Sequence, residues 1–406
     1  MIIKKCLPVF SLLLLTGCAK ESTELQQNAV PNPTESIKVG VLLPFTGYDE
    51  GAFAAQKGFE LALSEINQAG GINGRPLEYV YRDDHGEPTK ALRAAEDLLL
   101  SEGVVALTGT IHEHVKLAVS DFARRNQILF LCPSGGSDAF LLPKNVHDYA
   151  YRMDVSNYMW VQGLVDAAAD LPGSRWAFVA PNYEFGFSFV KDFKRYMAPK
   201  RSDFEVVFEQ FTPTLKLDAG ATLQAIEASK PDVIVTALFG SDHVKLIREG
   251  KKRGLFEGRE VVASMAGLPE ELAVTQDETP VNWLTFGYPV DGLPMERHNQ
   301  FLESFRAMHE ESPKYTSISS YMSVKVLAEA MRNAADITSE AIGQELGSRE
   351  FDSMFGPIKF DPTTHQSNSP IWIGRTGFVD DKPTLLDWHQ IDGASYTLEF
   401  ANTETQ

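Results

Sequence analysis

The chain alternates short apolar runs with longer amphipathic stretches almost from end to end, and few folds accommodate that pattern. Residues 104–119, VVALTGTIHEHVKLAV, show the unit: a buried strand over 104–108, a glycine turn at Gly109 and a helix opening near His112. The same unit precedes it. Residues 37–43 and 77–81 read as strands, and 52–69 and 88–102 as helices, with Pro88 suited to a first helical turn. Residues 128–131 read as the next strand. Strands that alternate with helices imply parallel sheets covered on both faces, because each crossover helix packs back onto the sheet.

After the extended segment Tyr151-Arg152-Met153 a second series begins. Helices are expected over 156–170, 185–197, 219–228 and 242–253, with strands over 175–180, 205–211, 232–237, 260–264 and 283–286. Two further helices, 294–311 and 319–335, return to the first series, and the tail over 355–361 and 370–391 reads as short strands and turns. No Pro/Ser-rich linker separates the halves. The expectation is an α/β protein of two Rossmann-like three-layer lobes, joined by multiple hinge crossings, with a ligand cleft between them. The first lobe would comprise 37–153 plus about 289–365, and the second 154–288 plus about 366–398. In such sheets ligands sit beyond the carboxyl ends of the strands, beside helix N-termini. That points to the turn around His112 and Glu113, and to the loop Leu131-Cys132-Pro133-Ser134-Gly135-Gly136-Ser137-Asp138.

Charge narrows the partner class. The 406 residues carry 55 Asp+Glu against 37 Lys+Arg, a formal charge of −18, so no basic face is available for nucleic acid. The first 17 residues read as a signal peptide, with Lys4 and Lys5 before an apolar run over 7–15 that is too short to span a bilayer. Leu15-Thr16-Gly17-Cys18 resembles the lipobox of bacterial lipoproteins, which makes Cys18 the lipidated first mature residue and the membrane anchor. Residues 18–36, polar and containing Pro31 and Pro33, read as a flexible tether. Cys6 leaves with the signal, so Cys132 alone remains and no intrachain disulfide can form.

Three segments carry a resemblance. They are Ile37-Lys38-Val39-Gly40-Val41-Leu42-Leu43-Pro44-Phe45-Thr46-Gly47, then Glu65-Ile66-Asn67-Gln68-Ala69-Gly70-Gly71-Ile72-Asn73-Gly74-Arg75-Pro76, then Tyr81-Arg82-Asp83-Asp84. In this order they resemble type I periplasmic binding proteins, and within them the leucine/isoleucine/valine-binding group of ABC-transporter substrate-binding proteins. Ala180-Pro181-Asn182-Tyr183-Glu184-Phe185-Gly186, Lys230-Pro231-Asp232 and Phe355-Gly356-Pro357-Ile358 extend the likeness over 37–395. The resemblance implies a monomer that closes on a small-molecule solute and delivers it to ABC permease subunits, with no cofactor and no chemistry on the solute. A sensor reporting to a chemoreceptor would use the same closing cleft.

The resemblance also implies a site. Ser134, Gly135, Gly136 and Ser137 correspond to the loop that holds a ligand carboxylate, with Ser134 or Ser137 supplying a hydroxyl. Tyr48 and His112 flank the first-lobe side. Phe185 and Phe239 stand where aromatic rings meet the ligand, and Met265 and Ala266 follow the strand that carries an ammonium-gripping acid in amino-acid binders. Two positions depart. Glu113 replaces the expected serine, either repelling a ligand carboxylate or turning outward as an acid at a helix start. No acid stands at Ser264-Met265-Ala266-Gly267. The expected ligand is therefore not a plain leucine-like zwitterion but an aromatic, amide-like or cationic solute, with Asp49, Glu50 and Asp242 adding negative potential at the rim. His112-x-His114 lacks the i, i+4 spacing of helical zinc ligands, no GxSxG, P-loop or CxxC occurs, and Cys132 reads as a buried structural thiol, so neither metal nor catalytic residues are expected.

Overall fold

The computed structural model describes residues 35–47 and 49–398. The signal peptide, Cys18, the tether up to residue 34, and Tyr48 lie outside the described residues.

The first sheet is built from β1 (Ile37–Leu43), α1 (Asp49–Gln68), β2 (Leu77–Asp83), α2 (Pro88–Leu100), β3 (Ala106–Gly109), α3 (Glu113–Asn126), β4 (Leu129–Cys132) and β5 (Ala150–Arg152). Its strands are all parallel in the order β2-β1-β3-β4-β5. Residues 39–43 of β1 and all of β3 and β4 are buried, as strands covered on both faces must be.

The second series is α4 (Asn157–Ala168), β6 (Arg175–Pro181), α5 (Glu184–Met197), β7 (Glu205–Thr212), α6 (Ala219–Ser229), β8 (Val233–Thr236), α7 (Gly240–Arg253), β9 (Glu260–Gly267), α8 (Pro269–Thr275) and β10 (Leu284–Gly287). The chain then forms α9 (Glu296–His309), α10 (Tyr315–Asn333) and α11 (Ser339–Ser348), the small hairpin β11 (Phe351–Ser353) and β12 (Gly356–Ile358), and the long hairpin β13 (Ile371–Val379) and β14 (Lys382–Ile391). The second sheet runs β14-β13-β10-β9-β8-β6-β7, parallel from β7 to β10 and antiparallel beyond it.

The late helices return to the first lobe. α10 lies along α1, and Gly58 permits the close crossing: a Cβ there would stand 2.0 Å from the Ser317 carbonyl oxygen. α11 packs on α10 and β4, while β13 and β14 complete the second sheet. The chain therefore passes between lobes after β5, after β10 and after β12, which is the expected two-lobe α/β architecture.

Four elements differ from expectation. The tail forms strands of 9 and 10 residues rather than short ones. Gly374 and Gly377 interrupt its apolar pattern because β14 side chains pack where their Cβ atoms would be. α8 was not expected, and neither was α11, where Gly343 and Gly347 lower helix propensity yet let Tyr151 pack close. Among the described residues no helix is long and apolar enough to cross a membrane.

Candidate functional site

At the carboxyl end of β3 the backbone turns sharply. Gly109 has φ +100°, and a Cβ there would lie 2.2 Å from the Leu42 carbonyl oxygen. Thr110 follows with φ +60°, a left-handed conformation that is costly for a β-branched residue. Its N–H donates to Leu42 O at 2.5 Å. The turn delivers His112 as the N-cap of α3 and Glu113 as its first residue.

Glu113 does not turn outward, which corrects that reading of it: the carboxylate is held inside the first lobe. Its Oε1 accepts from Arg152 Nη2 at 3.1 Å; its Oε2 accepts from the Ser137 N–H at 3.3 Å and from Lys116 Nζ at 3.4 Å. The physical reason is the burial of the cations: the Arg152 side chain is 0% exposed and that of Lys116 1%, so each requires a counter-charge, and Glu113 at 17% supplies it. Arg152 also donates to Ser137 O at 2.9 Å and Ser156 Oγ at 2.6 Å, and lies 4.5 Å over the Phe140 ring. Lys116 donates to Gly135 O. Glycine suits position 136, because φ +146° strains any side chain there and a Cβ would also displace Glu113 Oε2, 2.2 Å away.

The two candidate serines divide. Ser134 Oγ donates to Thr110 O at 2.9 Å, tying the second loop to the first. Ser137 Oγ is buried without a hydrogen-bond partner among the described residues, so of the two it has the hydroxyl still open. Cys132 is buried and its thiol donates to Ser134 O at 3.4 Å. His112 is half-buried with its ring against Gly86; burial lowers its pKa, helped by His114 and Lys116. His114 is exposed and its Nε2 meets Gly86 O at 2.9 Å. Burial pushes the neighbouring Asp84 up to about 6. Among the described residues no three His, Cys, Asp or Glu side chains converge to hold a metal.

In the second lobe Phe185 opens α5 and Phe239 caps α7, each at the end of a parallel strand. Their rings meet edge to face at 6.4 Å, and Tyr183 lies 6.0 and 6.4 Å from them. Trp160, in the first turns of α4, stacks on Phe185 at 6.4 Å and on Phe189 at 5.5 Å. Together they form an aromatic wall. Met265 is half-buried and Ala266 buried at the end of β9. Acids do follow β9, but in the first turn of α8, and both are committed. Glu271 accepts from the Gly240 N–H at 3.0 and 3.1 Å, and burial pushes its carboxyl up to about 7. Glu270 accepts from the Tyr315 N–H at 3.1 Å. Asp242, expected at the rim, is instead buried and holds the Leu217 N–H at 3.0 Å; as a first-turn acid of α7 it is drawn to backbone donors.

The halves are joined across the hinge. The Asn157 N–H donates to Gly136 O at 2.9 Å, and its side-chain amide donates to Ser188 Oγ at 2.9 Å on α5. Asp154 accepts from the Gly135 N–H at 3.1 Å and from Tyr315 Oη at 2.8 Å. A cavity of about 20 Å³ beside Asp154, Tyr315 and Trp372 has room for one water. A larger one of about 440 Å³ lies between α1, α9, α10 and β11, away from these loops, and its charged groups pair with each other: Lys325 with Glu65 and Arg297 with Asp352. Sequence reasoning missed Lys116, Arg152, Asp154 and Asn157. Only Arg152 carried a signal, as a charge inside a three-residue strand between apolar neighbours.

Two α/β lobes, three crossings and facing loops at strand ends define a bilobal solute receptor. The chain belongs to the periplasmic binding protein family, whose profile matches residues 36–382. It is similar to Leu/Ile/Val-binding protein homolog 7 of Brucella abortus, 22% identical over 351 residues that cover 81% of this chain and 85% of that protein. Among solved structures it is similar to an ABC transporter substrate-binding protein from Sphaerobacter thermophilus, at TM-score 0.79 and 23% identity over 88% of this chain and 98% of that one. An R. palustris solute-binding protein in complex with benzoate gives TM-score 0.74 and 23% identity, over 87% and 96%.

Proposed function

We propose that this protein is the extracytoplasmic substrate-binding component of an ABC importer. It captures a small organic solute between its lobes and hands it to a membrane permease, and lipid on Cys18 holds it at the membrane surface. The observation that carries this reading is the linkage through Asn157 of the Ser134–Ser137 loop to α5, the helix that carries Phe185 in its first turn: two lobes present complementary loops across a hinge that ligand binding can close. Ser137, the Gly135 and Gly136 backbone, Phe185, Phe239 and Met265 would line the solute. A relative named for leucine, isoleucine and valine and a neighbour holding benzoate support a solute of amino-acid or aromatic-acid size. The wall of Trp160, Phe185 and Phe239 favours a flat, apolar body. Glu270 and Glu271 each already accept from a backbone N–H, and no acid stands on the end of β9 itself, which weighs against a branched-chain amino acid.

The test is to purify the full-length lipoprotein from its own membranes, denature it and identify released solutes by mass spectrometry. Thermal-shift screening of the emptied protein then follows. A co-purifying solute that restores the melting temperature supports the reading. A protein that releases nothing and responds to no solute in a broad panel contradicts it. Strong stabilisation by leucine, isoleucine or valine reassigns the ligand while the transport role stands.

A further inference from the structure

Resting on that reading, we propose that Glu113 is a resident carboxylate filling the anion receptor of the first lobe, so that the captured solute presents no carboxylate there. A backbone N–H from the loop after a parallel strand, a buried guanidinium and a buried ammonium converge on one point. In the absence of anything else this is a receptor for a carboxylate. Here Glu113 occupies it: Oε1 takes Arg152 Nη2 at 3.1 Å, and Oε2 takes the Ser137 N–H at 3.3 Å and Lys116 Nζ at 3.4 Å.

Occupancy and charge both oppose a second carboxylate. The donors that would hold it, Arg152 Nη2, Lys116 Nζ and the Ser137 N–H, already face Glu113. The two cations are balanced by Glu113, with Asp154 close behind on the Gly135 N–H, so no excess positive charge remains to recruit an anion. A solute entering beside Glu113 meets the remaining lone pairs of the carboxylate, which only accept, and the Ser137 hydroxyl, which can accept or donate. Its complement is a donor group, an amide, amidine or phenol, on a body that packs against the aromatic wall. The device makes specificity by occupation: the protein keeps an anion receptor and blocks it with its own side chain.

The test uses acetate and benzoate as probes on the purified lipidated protein. Glu113→Ala vacates the receptor; Glu113→Gln keeps it filled but neutral and serves as the folded control. In wild type, acetate, benzoate and leucine leave the melting temperature unchanged relative to matched chloride, while Glu113→Ala is stabilised by acetate and binds benzoate about tenfold or more tighter than wild type does. Should Glu113→Ala be insoluble, Glu113→Ser takes its place, and soluble expression of either only with acetate supports the same conclusion. Stabilisation of wild type by benzoate or leucine overturns the proposal, as does a vacated receptor that ignores acetate. The acetate response needs no knowledge of the natural solute. A protein that binds no solute at all therefore refutes the transport reading through the solute screen, separately from this result.

Discussion

Removing the guanidinium from beneath the second loop tests the energetics of the site most directly. Arg152→Met keeps much of the apolar stem over Phe140 but deletes the donors to Ser137 O, Ser156 Oγ and Glu113 Oε1. Breaking a buried ion pair from one side costs about 3–5 kcal/mol, because the surviving charge is left without its partner. Glu113 retains Lys116 and the Ser137 N–H and keeps slight exposure, so the lower end, about 3 kcal/mol, applies. That corresponds to a fall in melting temperature on the order of 5–10 °C for a chain with lobes of this size. Urea denaturation at neutral pH measures it, within a cycle of Arg152→Met, Glu113→Gln and the double variant. If the stranded carboxylate is the main cost, neutralising Glu113 rescues Arg152→Met, and the double variant is more stable than the sum of the single losses by at least about 1 kcal/mol. Additivity within about 0.5 kcal/mol would refute the reasoning and make Arg152 a packing and backbone-bonding residue only.

Four further outcomes are expected. Asp138 accepts from the Tyr158 N–H, and burial raises its carboxyl to about 7, so the native state keeps a proton that the unfolded chain releases. Its contribution is full below the ordinary aspartate pKa and is lost as pH rises toward 7; Asp138→Asn should gain on wild type by about 1–2 kcal/mol between pH 4 and pH 8 in urea melts, the residual exposure of Asp138 trimming a larger effect. Gly136→Ala, placing a Cβ 2.2 Å from Glu113 Oε2 at φ +146°, should cost about 2 kcal/mol or more in a thermal melt; an unchanged melt would mean the loop moves freely. Glu270→Ala removes the acceptor for the Tyr315 N–H between α8 and α10 and should raise the radius of gyration of the solute-free protein in small-angle scattering; an identical profile would show that this contact does not restrain the lobes. Phe239→Ala should weaken calorimetric affinity for the co-purified solute by about 1–3 kcal/mol, and equal affinity would remove that ring from the site.

Much of the fold is legible from periodicity. Both faces of β1 and β4 are apolar because both are covered, and the amphipathic runs between them could only be crossover helices. What escaped is where glycine has a spatial rather than a local reason. Gly374, Gly377 and Gly347 each stand inside an element and admit a neighbour 2.7, 2.4 and 2.9 Å from where a Cβ would be. For the candidate site, the position of the loops was legible and their bonding was not. The strand-end loops holding Ser134–Ser137, Phe185 and Phe239 follow from topology. The committed state of their side chains does not, because hydrogen-bond partners such as Arg152 for Glu113 and Tyr315 for Asp154 come from 39 and 161 residues away.

The sequence alone determined that this is an acidic, two-lobed α/β protein with loops at the ends of parallel strands, since alternating hydrophobic periods leave no other way to cover both faces of each sheet. Only the tertiary structure decided what Glu113 does. A glutamate at a helix start has three local options: solvent, a ligand or the helix dipole. Solvent was not chosen. The burial of Lys116 and Arg152, one on the same helix and one on the hinge strand, drew the carboxylate inward, because two cations removed from water need a counter-ion more than the helix end needs an acid.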